Sequence, residues 1–263
     1  MDDREEAMKK YALILLCLLC SHYYSFSESI YTWDLKKDII IGSFSLSVFL
    51  PPLFIDASPG NTIQKDDINA VDKSLMFKYN KNLDTISTWA AYGTLVIPGL
   101  SLLGNIKDYN AWLSYGTMYA EAFLLTYGTK DILKTAIARN RPYTYFGGIP
   151  KGEEEDYYNS FPSGHTSFAF LGATFLSTTF YHEYPDSKWK VPVIIGSYAA
   201  ATGIASMRIL SGNHFITDVI AGAVIGSLYG WLIPTLHLRA REGLNTNVEI
   251  IPIGNGIIAT MSF

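Results

Sequence analysis

Six stretches of this chain are as long as a helix and almost free of charge. Residues 39–55, 86–106, 166–181, 191–207 and 219–236 contain no Asp, Glu, Lys or Arg, and residues 109–129 carry only Glu121. Runs of that length have to be buried, in protein or in lipid. They are rich in Gly, Ala, Ser and Thr. Gly222, Gly226 and Gly230 recur every fourth residue, and Ala199 sits four before Gly203. Small residues at that spacing let helices approach closely. The pattern predicts an all-α fold, a six-helix bundle with helices near 37–56, 86–105, 110–139, 164–181, 191–207 and 214–236. So many uncharged runs point to a membrane-embedded bundle; a soluble bundle with buried helices is the alternative. The 20 basic and 24 acidic residues give a net charge of −4, which excludes a strongly basic nucleic-acid binder. A hydrophobic content of 49% excludes a disordered chain.

The flanks differ from these runs. Residues 1–27 read as a signal-peptide-like leader, with a charged start ending in Lys9-Lys10 and an apolar stretch over 11–20. The only cysteines, Cys17 and Cys20, lie inside that stretch, so a redox or metal role for this C-x-x-C is weak. Residues 28–85 hold the first apolar helix and a polar connector, 86–241 the core, and 242–263 a tail. In the tail two apolar segments flank Gly254-Asn255-Gly256, which reads as a β-hairpin. The connector over 139–160 ends in an acidic run, residues 153–156, read as a solvated loop face.

Three polar clusters sit where apolar runs meet loops. Lys134 and Arg141 are seven apart, so a continuing helix puts them on one face before Pro142 stops it. Alone the pair reads first as a juxtamembrane positive patch, and two cations aimed one way also suit a phosphate. Next comes Pro162-Ser163-Gly164-His165, ahead of an apolar run. Ser163 suits an N-cap, Gly164 admits a close ligand, and a helix N-terminus binds anions. His165 beside such an anion suits a proton donor. Last are Arg208, His214 and Asp218. The i, i+4 spacing of His214 and Asp218 lets the carboxylate accept from one ring N–H and leaves the other nitrogen as a nucleophile.

Taken together, K-x6-R-P, P-S-G-H and R-x5-H-x3-D in this order resemble the type 2 phosphatidic acid phosphatase (PAP2) superfamily, shared with vanadium haloperoxidases and bacterial class A acid phosphatases. The resemblance covers residues 86–241. It implies a phosphatase in which His214 attacks phosphorus, Asp218 orients it and His165 protonates the leaving oxygen. Lys134, Arg141 and Arg208 would hold the phosphoryl oxygens with Ser163 and the Gly164 backbone. It implies no metal and no cofactor, since three cations can carry the charge. One residue departs: Met207 stands where the family has serine, and Ser206 is about 100° away around a helix. His22, His182 and His237 match no motif and read as surface or interfacial residues.

The apolar surroundings favour a lipid phosphate monoester or diphosphate, with membrane lipids as neighbours and no nucleic-acid partner. The aromatic segment Tyr143–Phe146 suits either a lipid contact or an interfacial belt. In lipid phosphatases of this family the site faces away from the cytoplasm. A cleaved leader followed by six full spans would put it inside. Either the leader stays uncleaved, or the 39–55 run with Pro51-Pro52 does not cross, or the bundle is periplasmic and globular. The alternatives to a lipid phosphatase are a soluble periplasmic acid phosphatase, a vanadate-dependent haloperoxidase and a catalytically silent membrane module.

Overall fold

The computed structural model describes residues 30–55, 65–103, 109–239, 247–253 and 256–262. The leader expected over 1–27 therefore lies outside the described residues. The helices are α1 (Leu35–Phe49), α2 (Ala70–Ser74), α3 (Lys81–Leu103), α4 (Tyr109–Ile137), α5 (Gly164–Glu183), α6 (Lys190–Leu210) and α7 (Ile216–Leu236). Each charge-poor run forms one long helix, and short α2 falls in the polar connector. The expected all-α, six-helix architecture is the one observed. In the tail, Asn247–Ile253 and Gly256–Ser262 pair antiparallel, with Ile251 opposite Ile258.

Local chemistry sets the helix ends. The Asp34 carboxylate caps α1 by accepting the Lys37 N–H at 3.0 Å. Asn69 caps α2 through the Asp72 N–H at 2.9 Å. Two prolines close α1 into a short 3-10 turn over Pro51–Leu53. At 15 residues, α1 is about 22 Å long, short of the roughly 30 Å hydrocarbon core of a bilayer. The end of α4 corrects an expectation. The helix stops at Ile137, Ala138 turns to φ 44°, and Arg141 is extended at φ −74°, ψ 150°. Pro142 disfavours helical backbone at Arg141. Lys134 and Arg141 therefore meet across a turn and not along one helical face.

Helix α5 lies at the centre and packs on α3, α4, α6 and α7, while α1 packs on α4. Its contact with α7 is the tightest, made by the row of glycines. A Cβ at Gly222 would stand 2.5 Å from the Ser163 carbonyl oxygen, and one at Gly226 2.1 Å from that of Ser167. The interior is correspondingly small and polar: Ala169, Ala173, Ala201, Ser167, Thr174 and Ser177 are all buried. Beside it Met118, Leu125, Leu171, Phe175 and Ile233 form a buried apolar cluster, and many other large apolar side chains point outward. On α7, Ile220, Val224, Leu228 and Trp231 are exposed at helical spacing, as are Ile39, Ile40 and Phe44 on α1. Among the described residues two helices, α6 and α7, are long and apolar enough to cross a membrane, with mean hydropathies of 1.5 and 1.7.

A side chain at Gly226 meets backbone, which cannot rotate away. Gly226→Val should destabilise the fold by about 2–3 kcal/mol, whereas Gly93→Ala, with nothing within 4 Å of its Cβ, should be close to neutral. Thermal unfolding of both variants in detergent checks this.

Candidate active site

The ends of α4 and α6 and the starts of α5 and α7 meet at one end of the bundle. There they enclose a cavity of about 130 Å³ lined by Lys134, Arg141, Gly164, His165 and His214. Ser163, Arg208 and Asp218 are buried and, as their bonds below show, hold this end together. The structure thus brings all eight sequence-derived residues into one neighbourhood.

His214 stands just ahead of α7. Its Nδ1 is 2.7 Å from the Ser160 carbonyl. A carbonyl only accepts, so Nδ1 carries the proton and Nε2 keeps its lone pair. Among the described residues Nε2 has no hydrogen-bond partner. The expected direct bond from Asp218 is not formed: its Oδ2 is 3.9 Å from Nδ1, beyond hydrogen-bond range. Asp218 instead accepts from the Ser160 hydroxyl at 2.5 Å and from the Phe215 N–H at 2.8 Å. It braces the segments on both sides of the imidazole, because Ser160 supplies the carbonyl and Phe215 follows His214. Burial, then the charges of Arg141, Arg208 and Lys134, hold the His214 imidazole well below the usual histidine range.

Arg139 holds Asp218 from the far side. Its guanidinium donates to Asp218 Oδ1 at 2.6 Å, Thr217 Oγ1 at 2.8 Å and Asp72 Oδ2 at 2.7 Å. Asp72 in turn accepts the Thr217 N–H at 3.0 Å, which ties α2 to the start of α7. Burial opposes the charge on Asp72, and Arg139 and Thr217 outweigh it, keeping that carboxyl below the ordinary range. The guanidinium also lies 4.0 Å from the Phe215 ring centroid.

Most cations at this end of the bundle are paired with acids, among them the cavity-lining Lys130, which pairs with Asp131 at 2.5 Å. Arg141 pairs with Asp156 and donates to Asn213 Oδ1 at 2.7 Å. Arg208 pairs with Asp84 and donates to Ser87 Oγ at 3.1 Å, and its buried Nε has no partner. Lys134 makes no hydrogen bond or ion pair among the described residues. Ser163 takes the N-cap position of α5, but its hydroxyl pairs with Thr166 Oγ1 at 2.9 Å and not with a backbone N–H. The first-turn N–H groups of α5 thus stay available to an anion. His165 Nε2 lies 3.0 Å from Thr88 Oγ1.

Several of these residues escaped sequence reasoning. Asp84, Ser87 and Thr88 recur at i, i+3 and i+4 on α3, followed one turn later by Tyr92 at the cavity wall. That polar stripe was the available signal. Asp156, read as part of a solvated run, pairs with Arg141. Tyr143 is buried, 2% exposed, and so is neither a lipid contact nor a belt residue. At the departing serine position, Met207 packs against the alanine-rich core while Ser206 Oγ donates to its own helix at Thr202 O, 2.9 Å away. The hydroxyl beside Arg208 comes from Ser87 on α3.

Residues 115–242 match the family model described as the PAP2 superfamily, so the resemblance carried by the motifs is borne out. The chain is 33% identical over 131 residues to lipid phosphate phosphatase 1 of Arabidopsis thaliana, covering 41% of this chain and 39% of that protein. It is 39% identical over 91 residues to lipid A 1-phosphatase of Porphyromonas gingivalis, covering 33% of this chain and 19% of that protein. The chain spans less than half the length of the curated relatives it matches. Among solved structures it resembles a transmembrane PAP2-type phosphatidylglycerolphosphate phosphatase from Bacillus subtilis, with a TM-score of 0.42 and 19% identity over 85% of this chain and 92% of that one.

Removing Arg139 leaves Asp72 and Asp218 buried without their shared cation. Arg139→Met should cost about 3–5 kcal/mol, read as a lower unfolding midpoint, while Lys65→Met at the exposed surface should leave it unchanged.

Proposed function

Because residues 115–242 form a PAP2 superfamily region, we propose that this chain is a metal-independent phosphatase that hydrolyses a lipid phosphate monoester or diphosphate through a phosphohistidine. One observation carries the reading: an unpaired lysine, Lys134, and an imidazole with a free lone pair, His214 Nε2, face the same small cavity. A lysine without a partner beside Arg141 in such a cavity calls for an anion.

The residues divide the work as follows. Lys134, Arg141 and Arg208, with the N–H groups at the start of α5, hold the phosphoryl oxygens and offset the charge that spreads over them. Nε2 of His214 attacks phosphorus, a P–N bond forms and the P–O bond to the lipid breaks. His165, protonated once the phosphate dianion offsets the surrounding cations, passes its proton to the departing oxygen. The same imidazole then takes a proton from water as that water displaces phosphate from His214, which returns both histidines to their starting state. Ser160, Asp218 and Arg139 position the nucleophile. The outward apolar faces of α1 and α7 support a bilayer location, in which a lipid headgroup reaches the cavity past Tyr92 and Phe168. The site on the extracytoplasmic side belongs to the same reading. The short α1 supports a topology in which the 39–55 run does not cross.

Purified protein should release phosphate from short-chain phosphatidate or a polyprenyl diphosphate in the presence of excess chelator. His214→Ala should abolish release, and His165→Ala should slow it by about 10²–10⁴-fold. Vanadate should inhibit. Release that survives in His214→Ala would refute the mechanism.

The low proton affinity of His214 sets a pH expectation. A nucleophile titrating at the ordinary 6.5 would lose about eightfold in kcat/KM between about pH 7 and about pH 5.5. With His214 held well below that value, it stays unprotonated on acidification, and the fall over the same interval, once corrected for the substrate's own ionisation, should be less than about twofold.

A further inference from the structure

A second polar cluster is buried at the opposite end of α7. Asp38 from α1, Glu121 from α4 and His237 at the end of α7 are 7%, 2% and 0% exposed. His214 precedes the first turn of α7 and His237 follows its last, so about 30 Å of helix separates this cluster from the cavity. None of the three belongs to the phosphatase motifs. Sequence reasoning placed His237 at a surface; the structure buries it.

The chemistry of the three groups is incomplete as it stands. His237 Nδ1 lies 2.9 Å from the Ile233 carbonyl and donates to it, which leaves Nε2 with a lone pair in the neutral ring. That nitrogen lies 2.7 Å from Asp38 Oδ1 and 3.5 Å from Glu121 Oε2. Asp38 Oδ2 is already engaged by the Asp34 N–H at 2.7 Å. Neither oxygen of Glu121 has a hydrogen-bond partner, although both are buried. The nearby ammonium of Lys37 lies within 3.5 Å of the Thr32 and Leu236 carbonyls. A proton between Nε2 and Oδ1 reconciles that one contact and leaves Glu121 unmatched. A dication among all three reconciles the whole cluster.

We propose that Asp38, Glu121 and His237 form a binding site for a divalent transition cation of the zinc type. The three donor atoms lie within 4.8 Å of one another. Nitrogen and oxygen ligands at about 2.0–2.1 Å around tetrahedral zinc sit about 3.3 Å apart, a value bracketed by the 2.7 and 3.5 Å observed. The Nδ1–H to carbonyl bond is the arrangement that orients a metal-binding imidazole. The role is structural. The cation fastens α1 and α4 to the end of α7, where the chain before α1 also docks: the Thr32 N–H donates to the His237 carbonyl at 3.1 Å and the Arg239 N–H to that of Ile30 at 2.7 Å.

The test uses the full chain in detergent, stripped with chelator, dialysed, and then titrated with Zn²⁺. Elemental analysis should find one Zn²⁺ per chain, and saturating Zn²⁺ should raise the unfolding midpoint by about 5–10 °C. Co²⁺ in its place should give the intense visible absorption of a tetrahedral site. All three signals should vanish in Glu121→Gln and persist in Cys17→Ser/Cys20→Ser. Should Glu121→Gln fail to fold, Asp38→Asn carries the same expectation. Absence of bound metal or of the midpoint shift in the wild-type chain overturns the proposal. So does binding that survives loss of the carboxylates or disappears with the cysteines. None of these readouts depends on the phosphatase reaction.

Discussion

The close approach of α5 and α7 is the contact on which the site depends. Glycine at 222 and 226 lets the backbone of α7 lie against carbonyls of Ser163 and Ser167. The Ser163 N–H then donates to the Asp218 carbonyl at 3.0 Å, which joins the start of one helix to the first turn of the other. Two histidines from separate motifs, His165 at the start of α5 and His214 ahead of α7, consequently face one cavity. Side chains at those glycines would hold the helices apart and move the histidines with them.

Around that contact the chain gathers like charges at considerable cost. Lys134, Arg141 and Arg208 crowd one end of the bundle, each cation raising the energy of the others. Asp156, in the cavity wall, and Asp84 compensate two of them, and Lys134 makes no ion pair among the described residues. Burial and the same field hold the His214 imidazole well below the usual histidine range. In the proposed reaction an arriving phosphate dianion would supply the missing charge, so that substrate binding and relief of electrostatic strain coincide. Small hydroxyl and alanine side chains line many of the contacts of α5, a cluster of Tyr115, Met118, Leu171, Phe175 and Ile233 packs beside them, and many other large aliphatic and aromatic side chains face outward. That arrangement suits helices packed in an apolar solvent.

The sequence revealed the helices and the motif residues because both carry periodic or fixed-spacing signals. Near-absence of charge over 16 or more residues marked each long helix, and the glycines at every fourth position marked the tight interface. What escaped depends on turns and tertiary contact. Ala138 breaks α4 at a positive φ that no spacing rule announces, so Arg141 reaches the cavity by a route other than the helical face. Ser160 takes the ring proton that Asp218 was expected to accept, because a loop carbonyl has no side-chain signature. Arg139 and Asp72 look like ordinary loop charges until the fold brings them to Asp218. His237 carries no motif, and its burial beside Asp38 and Glu121 arises only when α1, α4 and α7 assemble.

The central claim is that His214 Nε2 becomes covalently bonded to phosphorus. Rapid quench in base after mixing with a phosphorus-labelled lipid phosphate, followed by peptide mapping, tests it most directly. The account predicts an acid-labile, base-stable label on the peptide containing His214, absent from His214→Ala and accumulating in His165→Ala when the leaving group needs no proton. Turnover with no label on the chain, or a label on any other residue, would contradict it.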